Sequence, residues 1–134
     1  MPHHASAPRH VFVYGTLRAG GSNDIARFQP PPERVGHAAI AGTLYDLGAY
    51  PGAVLGGVGR VHGEIYRITP EVEEALDRLE AVADDGSGEY IKRELLVAVN
   101  AVQLRCLVYE IHPDRVHDRP VIASGDWFRR GFHG

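Results

Sequence analysis

Apolar residues fall in short runs along this chain, and their spacing separates one helix from a set of strands. Val11 to Tyr14 is uninterrupted by polar residues, the pattern of a short strand buried on both faces. A second β region is predicted over Gly36 to Gly48, followed by a turn built on Pro51-Gly52. "RVHGEIYRI" alternates, with Val61, Gly63 and Ile65 on one side and His62, Glu64 and Tyr66 on the other. A glycine inside that strand points to a bulge or a close approach. "QPPPE" (Gln29 to Glu33) is extended, because each proline disfavours helix at the residue before it.

"TPEVEEALDRLEAVA" has the helical period, with Val72, Ala75, Leu76, Leu79 and Ala83 forming one apolar stripe. Thr69 suits the N-cap, Pro70 the first helical position, and Glu71 the positive helix end. "DDGSG" (Asp84 to Gly88) ends the helix. "YIKRELLVAV" and "VQLRCLVYEI" are then two strands joined tightly through Asn100-Ala101. The tail closes with a Ser-Gly-Asp-Trp turn and a last helical turn. About six short strands around one main helix predict an α+β fold: a small mixed, β-barrel-like sheet. Residues 1–9 are expected to be a disordered lead-in and 10–134 a single domain.

Composition narrows the function classes. A chain of 134 residues can bury a core without staples. Its net charge of -3 lacks the basic footprint of nucleic-acid binding. The single cysteine, Cys106, excludes an internal disulfide and any CxxC pair. No run is long and apolar enough to span a membrane, and "MPHHASAPRH" lacks the apolar core of a secretory signal. The expected compartment is the cytoplasm. The expected state is a monomer, since no long apolar patch is evident.

Candidate chemistry is sparse. The N–H groups of Gly15, Thr16 and Leu17 follow a strand without obligatory ladder partners, and could form a nest for a carboxylate. Alternatively, the glycine is ordinary turn punctuation. On the helix, Glu80 lies at the border of the apolar stripe with Glu73 on the same side, whereas Glu74 and Asp77 point to solvent. Partial burial and the negative helix end both raise a carboxyl pKa, suiting Glu80 to general acid/base work. A boundary glutamate paired with Arg or Lys is the competing reading. Ser22 lacks a GxSxG elbow. His112 and His117 fit no zinc spacing and are taken as surface histidines. Cys106 is taken as a small core residue, while Glu64 is read equally as a pocket group or as a support for the fold.

In order, "VYGTLRAGGSN", "LYDLGAYPG", "VHGEIYRI", "ALDRLE", an "EY" before a strand, "LVYEI" and "SGDW" resemble the γ-glutamylcyclotransferase-like (AIG2-like) family, from His10 to Phe128. The resemblance implies a small barrel-like α+β fold whose YGTL loop lines the substrate cavity. It implies Glu80 as the catalytic acid/base, with Tyr14, Gly15, Thr16, Leu17, Tyr50 and Tyr109 binding substrate, and no metal or cofactor. It further implies release of an amine, amino acid or amide from a γ-glutamyl group, with closure of the glutamyl part to 5-oxoproline. Two features depart from the pattern. The gap from Glu80 to Tyr90 is long, and Tyr-x-Arg is replaced by Tyr90-Ile91-Lys92 with Arg93 one place later. Both bear on the substrate more than on the chemistry. Two other readings stay open: an acyl-cleaving relative that removes a γ-glutamyl protecting group, and a non-catalytic small-molecule-binding or interaction protein on the same fold.

Overall fold

In the computed structural model, which describes residues 9–80 and 88–129, strand alternation builds two apolar layers around one curled sheet. In β1 (Arg9–Val13), Phe12 enters the core on the concave face, while Val11 and Val13 enter the core beneath the helix. Both faces of this strand are therefore buried, as its unbroken apolar run predicts.

The other strands are β2 (Glu33–Asp46), β3 (Pro51–Ile68), β4 (Tyr90–Val99) and β5 (Val102–Ile111). They form a five-stranded mixed sheet in the order β2-β3-β1-β5-β4. β1 runs antiparallel to β3 and parallel to β5, and β2–β3 and β4–β5 are antiparallel hairpins. The β4–β5 turn falls on Asn100 and Ala101, whose φ values of 51° and 66° give the left-handed turn such hairpins need. The edge strands curl towards each other without forming a ladder: Asn100 Nδ2 donates to the Val35 carbonyl at 3.1 Å. The sheet is barrel-like but open.

Helix α1 (Pro70–Leu79) lays Val72 and Leu76 on Val11, Ile68, Leu107 and Ile111. The Thr69 hydroxyl accepts from the Val72 N–H at 3.2 Å, confirming the cap. No helix among the described residues is long and apolar enough to cross a membrane.

Several expectations are corrected. The helix stops at Leu79, which is 48% exposed rather than part of the buried stripe, and Glu80 is the C-cap. Ala83 and most of the predicted breaker (84–87) lie outside the described residues, as do residues 1–8 of the lead-in. Arg9 already pairs with Ile68, so β1 starts at Arg9, one residue before the expected start of ordered chain. The β2–β3 turn occupies residues 47–50, with Pro51 and Gly52 inside the ladder opposite Asp46 and Tyr45. A sixth strand is reduced to one bridge, Tyr45 to Val121, because the tail touches β2 only around Pro120 and Ile122. Asp77 does not point freely to solvent but is partly buried and bonded, with partners described below.

Candidate active site

The loop after β1 is a tightly bonded knot. Arg18 N–H donates to the Gly15 carbonyl at 3.1 Å, Asn23 N–H to Thr16 at 2.9 Å and Ile25 N–H to Leu17 at 2.9 Å. The N–H groups of Gly15, Thr16 and Leu17 enter none of these bonds. From below, the buried Arg18 anchors the loop. Its Nε donates to Glu64 Oε2 and its guanidinium to Asp126 Oδ1, both at 2.7 Å. Its charge also lies 4.4 Å from the Phe128 ring centre. Glu64 is completed by Ala19 N–H at 2.9 Å and the Tyr66 hydroxyl at 3.1 Å, so the buried charges are fully bonded. The fold-support reading of Glu64 is correct, and the Ser-Gly-Asp-Trp turn supplies its third member, Asp126.

This loop forms one wall of a cavity of about 180 Å³. Tyr14, Gly15, Thr16, Leu17, Tyr50, Glu80 and Tyr109, the residues singled out from the sequence, all line it. Pro51, Glu89, Tyr90 and Asn23 join them without having been foreseen. Both Glu89 and Pro51 carried a signal, Glu89 as the acid of the "EY" pair and Pro51 within "LYDLGAYPG". The space left by the missing side chain of Gly15 is taken by Pro51, not by an open path for ligand: a Cβ there would lie 2.6 Å from Pro51 Cγ.

Glu80 enters the cavity from the end of α1, where its N–H still donates to the Leu76 carbonyl at 2.9 Å. None of the side-chain hydrogen bonds among the described residues reaches its carboxylate, so the competing reading of an Arg- or Lys-paired boundary glutamate has no support there. Desolvation, reinforced by the negative charge of Glu89, pushes its pKa from 4.5 up to about 7.

The last turn of α1 is pinned through Asp77. The Tyr109 hydroxyl donates to Asp77 Oδ1 at 2.7 Å and Lys92 Nζ to Asp77 Oδ2 at 3.0 Å, while Lys92 also pairs with Glu73. Arg93 instead bonds Glu110, its Nε donating to Oε1 at 2.9 Å. Neither cation lines the cavity, so the replaced Tyr-x-Arg serves the framework here.

Other candidates fall away from this place. Cys106 is buried in β5 and burial pushes its thiol up to about 11. His117 is exposed, and His112 Nδ1 accepts from the Asp114 N–H at 3.2 Å in a local turn. Among the described residues no three His, Cys, Asp or Glu side chains converge to hold a metal ion.

The family model described as gamma-glutamyl cyclotransferase, AIG2-like, matches residues 11–129. A Vibrio cholerae protein provisionally named a gamma-glutamylcyclotransferase is 38% identical over 128 residues, covering 90% of this chain and 96% of that one. The gamma-glutamylaminecyclotransferase of Bos taurus is 32% identical over 141 residues, covering 92% of this chain and 78% of its own. The crystal structure of an AIG2-like protein from Mus musculus superposes with a TM-score of 0.70 at 27% identity, over 88% of this chain and 86% of that one. Matched by the family model along nearly its whole length, the chain belongs to the gamma-glutamyl cyclotransferase, AIG2-like family.

Proposed function

We propose that the protein is a γ-glutamyl cyclotransferase that releases an amine from a γ-glutamyl amide and leaves 5-oxoproline. The observation that carries this reading is the placement of Glu80: a half-buried carboxyl, raised to about 7, in the same cavity as the loop N–H groups of Gly15, Thr16 and Leu17.

The loop N–H groups, with Asn23 beside them, hold the substrate's α-carboxylate, which fixes one end of the glutamyl chain. Glu80 as carboxylate takes a proton from the α-ammonium. The freed amine attacks the γ-carbonyl carbon of the same molecule, forming the ring C–N bond. As the bond from that carbon to the leaving nitrogen breaks, protonated Glu80 returns the proton to that nitrogen. The carboxylate so regenerated takes the second proton from the ring nitrogen and passes it to the departing amine. No water is consumed, and the products are 5-oxoproline and the amine, which leaves as its ammonium. A pKa near 7 lets one carboxyl act in both directions at neutral pH. Because the nucleophile belongs to the substrate, positioning alone is worth an effective molarity of roughly 10⁵–10⁸ M in well-oriented cases. This accounts for a described cavity lining without a serine or cysteine nucleophile.

The test is 5-oxoproline release from a panel of γ-glutamyl amino acids, γ-glutamyl-ε-lysine and simple γ-glutamyl amides, by wild type and Glu80→Gln. Turnover lost in the variant while ligand binding persists supports catalysis by Glu80. Binding without turnover in the wild type favours the non-catalytic reading.

A further inference from the structure

The tyrosine hydroxyls around the cavity share one polarity. Tyr14 donates to the Tyr109 carbonyl at 2.6 Å, Tyr90 to the Pro51 carbonyl at 2.8 Å, Tyr109 to Asp77 Oδ1 at 2.7 Å, and Tyr50 to Glu89 Oε2. A phenol has one proton, so with that proton committed each can offer a ligand lone pairs only. Burial also holds the Tyr14, Tyr90 and Tyr109 hydroxyls well above their usual pKa, which keeps those protons in place. The charged residues of the described lining are Glu80 and Glu89, both acids. Arg115 and Arg119 act on the Tyr50 hydroxyl from outside that lining. Donors come from a different wall, the Gly15–Leu17 loop with Asn23. One wall therefore suits a carboxylate, and the other suits a group rich in N–H and positive charge.

Glu89 is the fixed anion of that second wall. It directly precedes β4, whereas Tyr50 sits in the β2–β3 turn, so their hydrogen bond joins two segments across the cavity lining. The Glu89 main chain is held as well, its carbonyl accepting from the His112 N–H at 2.9 Å. The Tyr50 proton goes to Oε2, which leaves Oε1 to accept from a ligand. In the cyclotransferase reading, on which this inference rests, the substrate's α-ammonium must meet Glu80 to lose its proton. Among the described lining residues, Glu89 is the acid that remains for the other end of the substrate.

We propose that Glu89, oriented by Tyr50, selects γ-glutamyl amides whose leaving amine carries a second, positively charged amino group, and that its carboxylate binds that distal ammonium. An ammonium there relieves the repulsion between the two acids, a neutral chain does not, and a carboxylate adds a third like charge.

The experiment compares the γ-glutamyl amides of putrescine, n-pentylamine and δ-aminovalerate, which match in length and differ in terminal charge. For the wild type, kcat/KM falls in that order, with the first exceeding the second by about tenfold or more, the worth of one charge-assisted hydrogen bond. Glu89→Gln brings the first two close to parity, whatever its effect on absolute rates. Tyr50→Phe, which leaves the charge but frees the side chain, narrows the ratio partly. Turnover without that ranking in the wild type, or a Glu89→Gln ratio equal to the wild-type ratio, overturns the inference and leaves the cyclotransferase reading standing. If none of the three is turned over while another member of the wider γ-glutamyl panel is, the inference is overturned and the cyclotransferase reading stands. If no member of that panel is turned over, the cyclotransferase reading fails. Calorimetric binding of the same compounds then decides charge selection: equal affinity overturns it, and tighter binding of the putrescine amide supports it.

Discussion

Pro51 fills the place of the side chain that Gly15 lacks, although the two are separated in the chain by the loop after β1, by β2 and by the β2–β3 turn. A Cβ on Gly15 would come within 2.6 Å of Pro51 Cγ and 2.9 Å of Cδ, closer than carbon atoms tolerate. Gly15→Ala is therefore expected to lose about 1–3 kcal/mol, the range for overpacking a filled site. Urea denaturation should show much of that loss recovered in Gly15→Ala combined with Pro51→Ala. A bare turn with no packing role predicts neither effect.

Glu80 is predicted to link activity and stability to pH in opposite directions. Its pKa rises from 4.5 when unfolded to about 7 in the native protein, so between those values the native state holds a proton that the unfolded state has lost. That contribution to stability is fully present below pH 4.5 and is lost as pH rises through about 7. Wild-type stability should decline over this window. Glu80→Gln, which cannot ionise, should melt higher than wild type at pH 8 and lose the advantage under acid conditions. Over the same window kcat/KM should climb as the carboxylate forms, with its acid limb near pH 7. Melting curves and rate profiles across this range test both halves.

Arg18 should prove indispensable to the loop although it never lines the cavity. Replacing it with Met strands Glu64 and Asp126, and removing one partner of a buried pair costs about 3–5 kcal/mol. Lys cannot reproduce the two directed bonds made at 2.7 Å, so Arg18→Lys should recover only part of the stability. Chemical denaturation of the two variants gives the comparison.

Lys92 is expected to behave as a framework residue. Lys92→Met leaves Asp77 and Glu73 without their shared cation at a partly exposed site, for a loss of about 1 kcal/mol. Since Asp77 also receives the Tyr109 proton one turn before Glu80, kcat should fall with little change in KM. A Lys92→Arg variant should restore most of the stability. If Lys92 instead bound substrate, KM would rise first.

Local signals in the chain were sufficient for the elements themselves. Thr69 and Pro70 start the helix by capping chemistry that involves only the next few residues, and Asn100-Ala101 turns a hairpin whose strands are adjacent in sequence. The unbroken run at Val11–Tyr14 and the ordered YGTL and LDRLE motifs marked the cavity wall and its acid. Other features needed the folded chain. Asp77 looked solvated on a helical wheel because a wheel shows only its own helix; Lys92 and Tyr109 arrive from β4 and β5. Arg18 meets Glu64 46 residues on and Asp126 108 residues on, and no local period encodes such a meeting. Helix and strand periods report which face of an element is apolar. Which polar groups face one another across the sheet is decided only when β1 takes its place between β3 and β5, because buried charges and phenols must then find partners from whatever strands the packing has brought beside them.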